Sequence, residues 1–240
     1  MFSLGLGYDT ARPPAAAGGG GDFGPELIGD PNTTDAQAVA ITEGKIYRVG
    51  WTLVSNSTGA PVPTLGGVPG TQQTVPGAYA EYMVAGGAGA GFVFVTPGDA
   101  VVSGVSVKEV LEQDDLDNEL WPQPAFDASA GLTLNNCSVA GGKLLFEAAG
   151  ALMRARLTSP TLLAAGDILR GAITIDSNDG TDEVLFMLAG TTRTFETATG
   201  AFSVNVRVSA SSQSLEVRGP ADTTAQVDNV SIRQVILPPL

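Results

Sequence analysis

A group of oxygen-bearing side chains near residue 180 is the part of the sequence whose residue types best suit a metal ion. Carboxylate and amide oxygens are ligands that Ca²⁺ prefers in proteins. The helix–loop–helix calcium motif needs a bidentate glutamate at its twelfth position, and counted from Asp176 that position is Met187. The spacing therefore favours a solvated turn over that motif. The group consists of Asp176, Asn178, Asp179, Asp182 and Glu183.

Residues for proton transfer and nucleophilic chemistry are scarce or show no useful spacing. The chain of 240 residues contains no histidine, which removes the commonest general base. Carboxylates are numerous, but no spacing singles out the pair that glycoside cleavage would need. The glycine run over 86–91 lacks the Lys-Ser/Thr end of a phosphate-binding loop. We therefore predict that the chain is not an enzyme and carries no catalytic cofactor.

The charge balance is strongly acidic. The net charge is −13, with only 12 lysines and arginines, and the sequence shows no local basic patch. Nucleic acids and anionic membranes bind clustered basic residues, so neither is expected as a partner. No stretch approaches the roughly twenty apolar residues of a membrane span, so membrane insertion is not expected either.

The elements that must position any site are predicted to be short β-strands. Alternating apolar and polar residues recur between turns of Gly, Pro, Asn and Thr, with no sustained helical period. In one such strand Tyr47, Val49, Trp51 and Leu53 share a face, which predicts that this face is buried in a core.

A long internal repeat sets the organisation. Residues 44–110 are echoed by residues 166–235, with an offset that drifts only from 122 to 125. The second copy alone has an additional opening hairpin, over about 131–146. The pattern predicts an all-β fold of two tandem antiparallel sandwiches of jelly-roll type, with fibronectin-like or immunoglobulin-like sandwiches as alternatives. The predicted modules are 26–112 and 113–240, the second of which begins within the acidic connector.

The N-terminal segment 1–25 differs from both modules. A short apolar tip is followed by prolines and a run of four glycines, which predicts a docking peptide on an extended tether. A frayed terminus is the alternative. The segment lacks the unbroken apolar run of a secretory signal. The docking residues would be Phe2, Leu4, Leu6 and Tyr8.

Several segments together resemble a known module. The strand starts and ends over 44–48, 77–82, 105–110 and 228–232, with the hairpin over 132–144, resemble a jelly-roll module common in virion proteins of tailed phages. That module is similar to carbohydrate-binding modules, and the resemblance covers roughly residues 26–235. The tip and tether are similar to the docking ends of head fibres, head spikes and related proteins of phages and gene transfer agents.

The resemblance implies candidate binding residues. Sugar rings stack on exposed aromatic side chains. Tyr82 is the candidate in the first module, because Trp51 and Tyr79 are predicted to pack in the core. In the second module the candidate is Trp121, for which packing between the modules is the alternative. The resemblance further implies a structural calcium held by Asp127 and Asp228.

The resemblance implies a role on a virion surface. The chain would dock through its N-terminus on capsid or tail proteins and project its modules towards a host-surface glycan. A homo-oligomer is expected, with a trimer favoured. A purely structural capsid-decoration or tail component without glycan binding is the main alternative. An extracellular bacterial adhesin module is a third.

Overall fold

The computed structural model describes most of the chain from Phe23 onwards. The described residues are 23–87, 91–95, 97–111, 116–121, 126, 131–147, 150–179, 183–189, 191–194, 198–209, 211–219, 221–222 and 224–240. In this part of the chain all of the regular structure is β, and no helix is present that could cross a bilayer. The prediction of an all-β fold is confirmed.

The strands fall into two groups along the chain. The first group is β1 (Ile46–Ser55), β2 (Val62–Leu65), β3 (Val68–Pro69), β4 (Gly77–Val84), β5 (Phe92–Val95) and β6 (Val101–Glu109). The second group is β7 (Leu116–Glu119), β8 (Thr133–Asn135), β9 (Cys137–Ala140), β10 (Lys143–Glu147), β11 (Met153–Leu163), β12 (Ile168–Asn178), β13 (Leu185–Leu188), β14 (Thr191–Thr194), β15 (Gly200–Arg207), β16 (Ser212–Gly219) and β17 (Thr224–Val235).

The first module is a small sandwich of two antiparallel sheets, in the orders β4-β1-β6 and β3-β2-β5. The face predicted from the alternation in β1 is buried: Tyr47, Val49, Trp51 and Leu53 are at most 3% exposed. The ring of Tyr79 packs against Trp51 with centroids 5.7 Å apart, so both residues belong to the core as predicted.

The second module is the larger sandwich. One sheet has the order β15-β12-β17-β10-β9 with β7 also paired to β17, and the other has the order β14-β13-β16-β11-β8. Along the chain the strands pass repeatedly from one sheet to the other, which is the wiring of a jelly roll. The predicted opening hairpin is present as β9 and β10. Its neighbours β8 and β11 extend the opposite sheet.

The repeat holds at the level of single residues. The pairing of β1 with β6 has register shifts after Gly50 and Leu53, and the pairing of β12 with β17 has them after Ala172 and Ile175. Gly50 corresponds to Ala172 and Leu53 to Ile175, and in both cases the two positions are 122 residues apart. The backbone turns to positive φ at Gly104 in the first copy and at the equivalent Asn229 in the second. Because a β-bulge re-aims the strand, two bulges at matching sites give both modules the same bend.

A glutamate at the start of each module fastens this bulged strand, and the sequence analysis missed it. The Glu26 carboxylate accepts hydrogen bonds from the amide of Val107 and the hydroxyl of Ser106. In the second module the Glu119 carboxylate accepts the same pair of bonds from Ile232 and Ser231. Partial burial acts to raise the pKa of Glu26, but the hydrogen bonds from Ser106 and from backbone amides outweigh it and lower the pKa. Phe23 forms a β-bridge with Val110, so the first module includes residue 23, slightly before its predicted start at residue 26.

We expect Glu119→Ala to lower the free energy of unfolding by about 2 kcal/mol, because it leaves a partly buried amide and hydroxyl without their acceptor. Chemical denaturation of the full chain measures this. Glu147→Ala removes an exposed carboxylate from the same module and is the matched control, with an expected change below about 0.5 kcal/mol. An equal effect of the two substitutions would contradict a fastening role for Glu119.

Candidate functional site

The outer face of the sheet β14-β13-β16-β11-β8 is the most distinctive polar surface of the second module. On β16, Leu215 and Val217 point into the core, so Ser214, Glu216 and Arg218 lie on the outer side of the sheet. The same alternation places Arg154 and Arg156 of β11 on that side, because Ala155 and Leu157 are in the core. We call the outer face around these residues the arginine face. It comprises Thr133, Asn135, Arg154, Arg156, Leu185, Met187, Ser214, Glu216 and Arg218.

Strand register sets these side chains in two rows. One row has Arg154 directly opposite Arg218, and the other has Arg156 directly opposite Glu216. Each row continues onto β13, where Leu185 and Met187 supply apolar surface. On the other side β8 adds exposed hydroxyl and amide groups, from Thr133 and Asn135. The face therefore combines charged, polar and apolar groups over four adjacent strands.

Glu216 lies at the centre of the arginine face and is 3% exposed. Its carboxylate accepts hydrogen bonds from Arg218 Nε at 2.6 Å and from the Ser214 hydroxyl at 3.0 Å. Arg156 Nε lies 3.6 Å from the same carboxylate, as an ion pair. Burial acts to raise the pKa of Glu216, but the hydrogen bonds from Arg218 and Ser214 and the charges of Arg218 and Arg154 outweigh it and lower the pKa. The carboxyl is therefore ionised at neutral pH.

The arginine face carries a local excess of positive charge. Like charges directly opposite each other on adjacent strands repel, and Arg154 and Arg218 form such a pair. Glu216 offsets part of that repulsion, but three guanidinium groups against one carboxylate leave a net charge of +2. The sequence shows no local basic patch, and this excess arises only on folding, because β11 and β16 bring together arginines that are about sixty residues apart in sequence.

The first module has no counterpart of this face in its described residues. The pairing of β2 with β5 matches that of β13 with β16 at an offset of 123 residues, so Val93 and Val95 stand where the second module has Glu216 and Arg218. In the second module the long strand β11 pairs with β16. At the same place in the first module, β5 is paired through an isolated bridge between Gln37 and Phe92. The charged surface is thus specific to the second copy of the repeat.

A second distinctive region is the junction between the modules. Its apolar part is a cluster in which Ile46 and Val110 of the first module meet the equivalent residues, Ile168 and Val235, of the second. The two modules therefore contact each other through the same end of the repeat, as in a two-fold dimer. Tyr82 belongs to this cluster.

Polar contacts across the junction are mostly shielded from solvent. Arg207 Nη2 lies 2.6 Å from the carboxylate of Glu81, whose side chain is 10% exposed. The Tyr82 hydroxyl donates to the carbonyl of Pro238 at 2.6 Å. Asn205, which is equivalent to Tyr82 in the repeat, donates to the carbonyl of Gly44 at 2.9 Å. Contacts of this kind hold the two modules in one relative orientation.

The chain is similar to carbohydrate-binding modules of known structure. A mutant of a family 29 carbohydrate-binding module is 12% identical over 49% of this chain and 89% of that chain, with a TM-score of 0.33. The N-terminal tandem of two family 22 carbohydrate-binding modules from Paenibacillus barcinonensis Xyn10C is 10% identical over 81% of this chain and 80% of that chain, with a TM-score of 0.35.

A weaker likeness is to the secreted serine protease VesC from Vibrio cholerae, at 12% identity over 80% of this chain and 48% of that chain, with a TM-score of 0.29. No family model matches the chain, and no curated protein matches it. At TM-scores below 0.5 these likenesses carry no argument about function.

Both aromatic residues predicted to stack on sugar are buried. Trp121 is 0% exposed and packs in the core of the second module, where Phe126 meets its ring edge-on. Tyr82 is 8% exposed and lies in the junction. A buried ring has no face to offer a pyranose, so the stacking role predicted for Tyr82 and Trp121 is wrong for this conformation. The aromatic residues in the described part of the chain are all buried or half-buried.

The predicted calcium ligands are not seen to form a site. Asp127 lies outside the described residues. Asp228 lies on the opposite sheet from the arginine face, where its charge and that of Asp176 act on Lys143, whose ammonium is 2.8 Å from Asp176. The carboxylates there face a cation of the chain itself. Within the described residues no group of three or more carboxylate, cysteine or histidine side chains is placed to hold a metal.

The acidic turn between Asp176 and Glu183 is only partly among the described residues. Asp176 belongs to the end of β12, and the Asp179 carboxylate accepts a hydrogen bond from the amide of Thr224 at 2.8 Å. Asp182 lies outside the described residues. The docking residues Phe2, Leu4, Leu6 and Tyr8 also lie outside them.

Proposed function

We propose that this chain is a non-enzymatic attachment protein of a phage-like particle, in which the second module binds a surface glycan and the first module serves as a stalk. The observation that carries the proposal is the asymmetry of the repeat. Strands β8 to β11, with Arg154 and Arg156, belong to the second copy, and the first copy has Val93 and Val95 at the positions equivalent to Glu216 and Arg218. A duplicated fold with one charged, open sheet face suits a division between spacer and binding head.

The junction supports the stalk role. An ion pair between Glu81 and Arg207, together with a shared apolar cluster, restrains bending between the modules. A restrained pair of modules projects its binding face in a defined direction. Several copies on one particle would then convert weak single contacts into strong attachment.

The location on a virion surface rests on the sequence resemblance of residues 26–235 to phage modules. In this proposal the N-terminal segment docks on capsid or tail proteins, and the chain assembles as a homo-oligomer, with a trimer favoured. The proposal also retains a structural calcium held by Asp127 and Asp228.

A purely structural role is the second candidate. It is favoured by the burial of Tyr82 and Trp121, because a decoration or spacer protein needs no aromatic binding platform. Under this alternative the outer face of the second module contacts neighbouring subunits instead of a glycan.

Two measurements separate these functions. The full chain is applied to a glycan array that contains neutral and acidic saccharides, and a tag placed after Leu240 is located on particles by electron microscopy. Glycan binding and a tag far from the shell are expected. A chain that binds no glycan and packs its second module against neighbouring subunits would establish the structural alternative, and a tag against the shell would reverse the proposed polarity.

A further inference from the structure

We propose that the arginine face of the second module selects carboxylate-bearing, acidic saccharides over neutral ones. This inference names the ligand class for the glycan binding proposed above and rests on that function. The chain as a whole repels anions, with a net charge of −13. Three of its 12 lysines and arginines nevertheless lie together on one sheet face, around a single buried carboxylate.

Glu216 sets the guanidinium groups in place without neutralising them all. It forms its short ion pair with Arg218 and a longer contact of 3.6 Å with Arg156. The Arg156 side chain is 46% exposed, so its remaining donors face solvent. Within the described residues the guanidinium group of Arg154 makes no hydrogen bond or ion pair, and its charge helps to lower the pKa of Glu216. The donors of Arg154 and Arg156 are therefore available to an incoming anion.

A carboxylate is the anion that this arrangement fits. A guanidinium group presents two parallel N–H donors, which match the two oxygens of a carboxylate. Bound between Arg154 and Arg156, such a group would supply the second negative charge that the face lacks. Leu185 and Met187 of the adjoining strand offer apolar surface for the C–H groups of a sugar ring. Thr133 and Asn135 offer hydroxyl and amide groups for its hydroxyls.

The opposite sheet of the same module does not share this character. That sheet also carries arginines, with Arg170 directly opposite Arg233, but these cations have partners within the chain. The partners are Asp176 for Lys143, Glu119 for Arg233, Glu81 for Arg207 and the amide oxygen of Asn205 for Arg170. An acidic ligand is therefore directed to one face of the module. A nucleic acid would need a longer basic surface than four strands provide, because each phosphate contact uses its own cation.

The test uses the full chain and pairs of saccharides that differ only in charge. Oligomers of galacturonate, glucuronate and mannuronate are each compared with their methyl esters, which keep the sugar and remove the negative charge. At least one acid should bind about tenfold more tightly than its ester, and its binding should weaken as salt is raised. Arg156→Ala should lower that affinity about tenfold, while Arg156→Lys should restore part of it because it keeps the charge but not the paired donors.

Lys143→Ala is the matched control, because it also removes one exposed positive charge but from the opposite sheet. It should change the affinity less than twofold. Equal binding of acids and esters, or equal losses in Arg156→Ala and Lys143→Ala, would overturn the inference while leaving glycan binding intact. Tighter binding of an oligonucleotide than of any acidic saccharide would also overturn it. A chain that binds no saccharide on the array or in these titrations would overturn the proposed function itself.

Discussion

Replacing Glu216 with alanine is expected to lower the free energy of unfolding by about 2 to 3 kcal/mol. Removing one partner of a buried ion pair costs about 3 to 5 kcal/mol, and the partial exposure of the arginines reduces this figure. In the variant Arg154 and Arg218 would face each other across the strands with no carboxylate between them. Chemical denaturation of the full chain measures the loss.

The lowered pKa of Glu216 adds a dependence on pH. A carboxyl whose pKa is lower in the folded chain stabilises the fold above its unfolded pKa, here the ordinary value of 4.5, and this contribution is lost as the pH falls through the folded pKa. The difference in stability between the wild-type chain and Glu216→Gln should therefore shrink below about pH 4.5. A difference that stays constant from pH 7 to pH 3 would contradict an ionised Glu216 as the source of the stabilisation.

Replacing Tyr82 with alanine is expected to lower the free energy of unfolding by about 3 kcal/mol. It should also make the unfolding of the two modules less cooperative. The substitution removes a large side chain from the cluster that contains Ile168 and Val235, and such truncations leave a cavity. It also leaves the carbonyl of Pro238 without its donor. Calorimetry should show one main unfolding transition for the wild-type chain and two separated transitions for Tyr82→Ala.

Tyr82→Phe is the control for this prediction. It keeps the ring and removes only the hydrogen bond to Pro238, so a loss of about 1 kcal/mol is expected, with the single transition retained. Neither substitution should change saccharide binding, because Tyr82 lies in the junction and not on the arginine face. Unchanged stability together with lost binding in Tyr82→Ala would instead restore Tyr82 as a ligand residue.

The repeat and the strand alternation made most of the fold predictable. A shared face for Tyr47, Val49, Trp51 and Leu53 follows from a period of two, and the structure buries all four. The additional hairpin of the second module was likewise predictable, because the alternating stretch over about 131–146 precedes the second copy and has no counterpart before the first. The strand register also makes Ser103 and Asp228 equivalent, because they lie opposite the equivalent residues Thr52 and Thr174.

The candidate site was less predictable, because it depends on which strands pair. Arg154 and Arg156 are two residues apart, as are Glu216 and Arg218, so each pair could be placed on one face of a strand. Nothing in the sequence indicates that β11 and β16 are neighbours. The error over Tyr82 has a similar origin. Alternation shows that its side chain leaves the first core, but the second module, distant in sequence, covers the outer side.

The most direct test of the binding face is a crystal structure of the full chain with an acidic saccharide. We expect the saccharide on the sheet β14-β13-β16-β11-β8, with its carboxylate within hydrogen-bond distance of Arg154 or Arg156. Saccharide bound to the first module, at the junction or on the opposite sheet of the second module, with the arginine face empty, would contradict it.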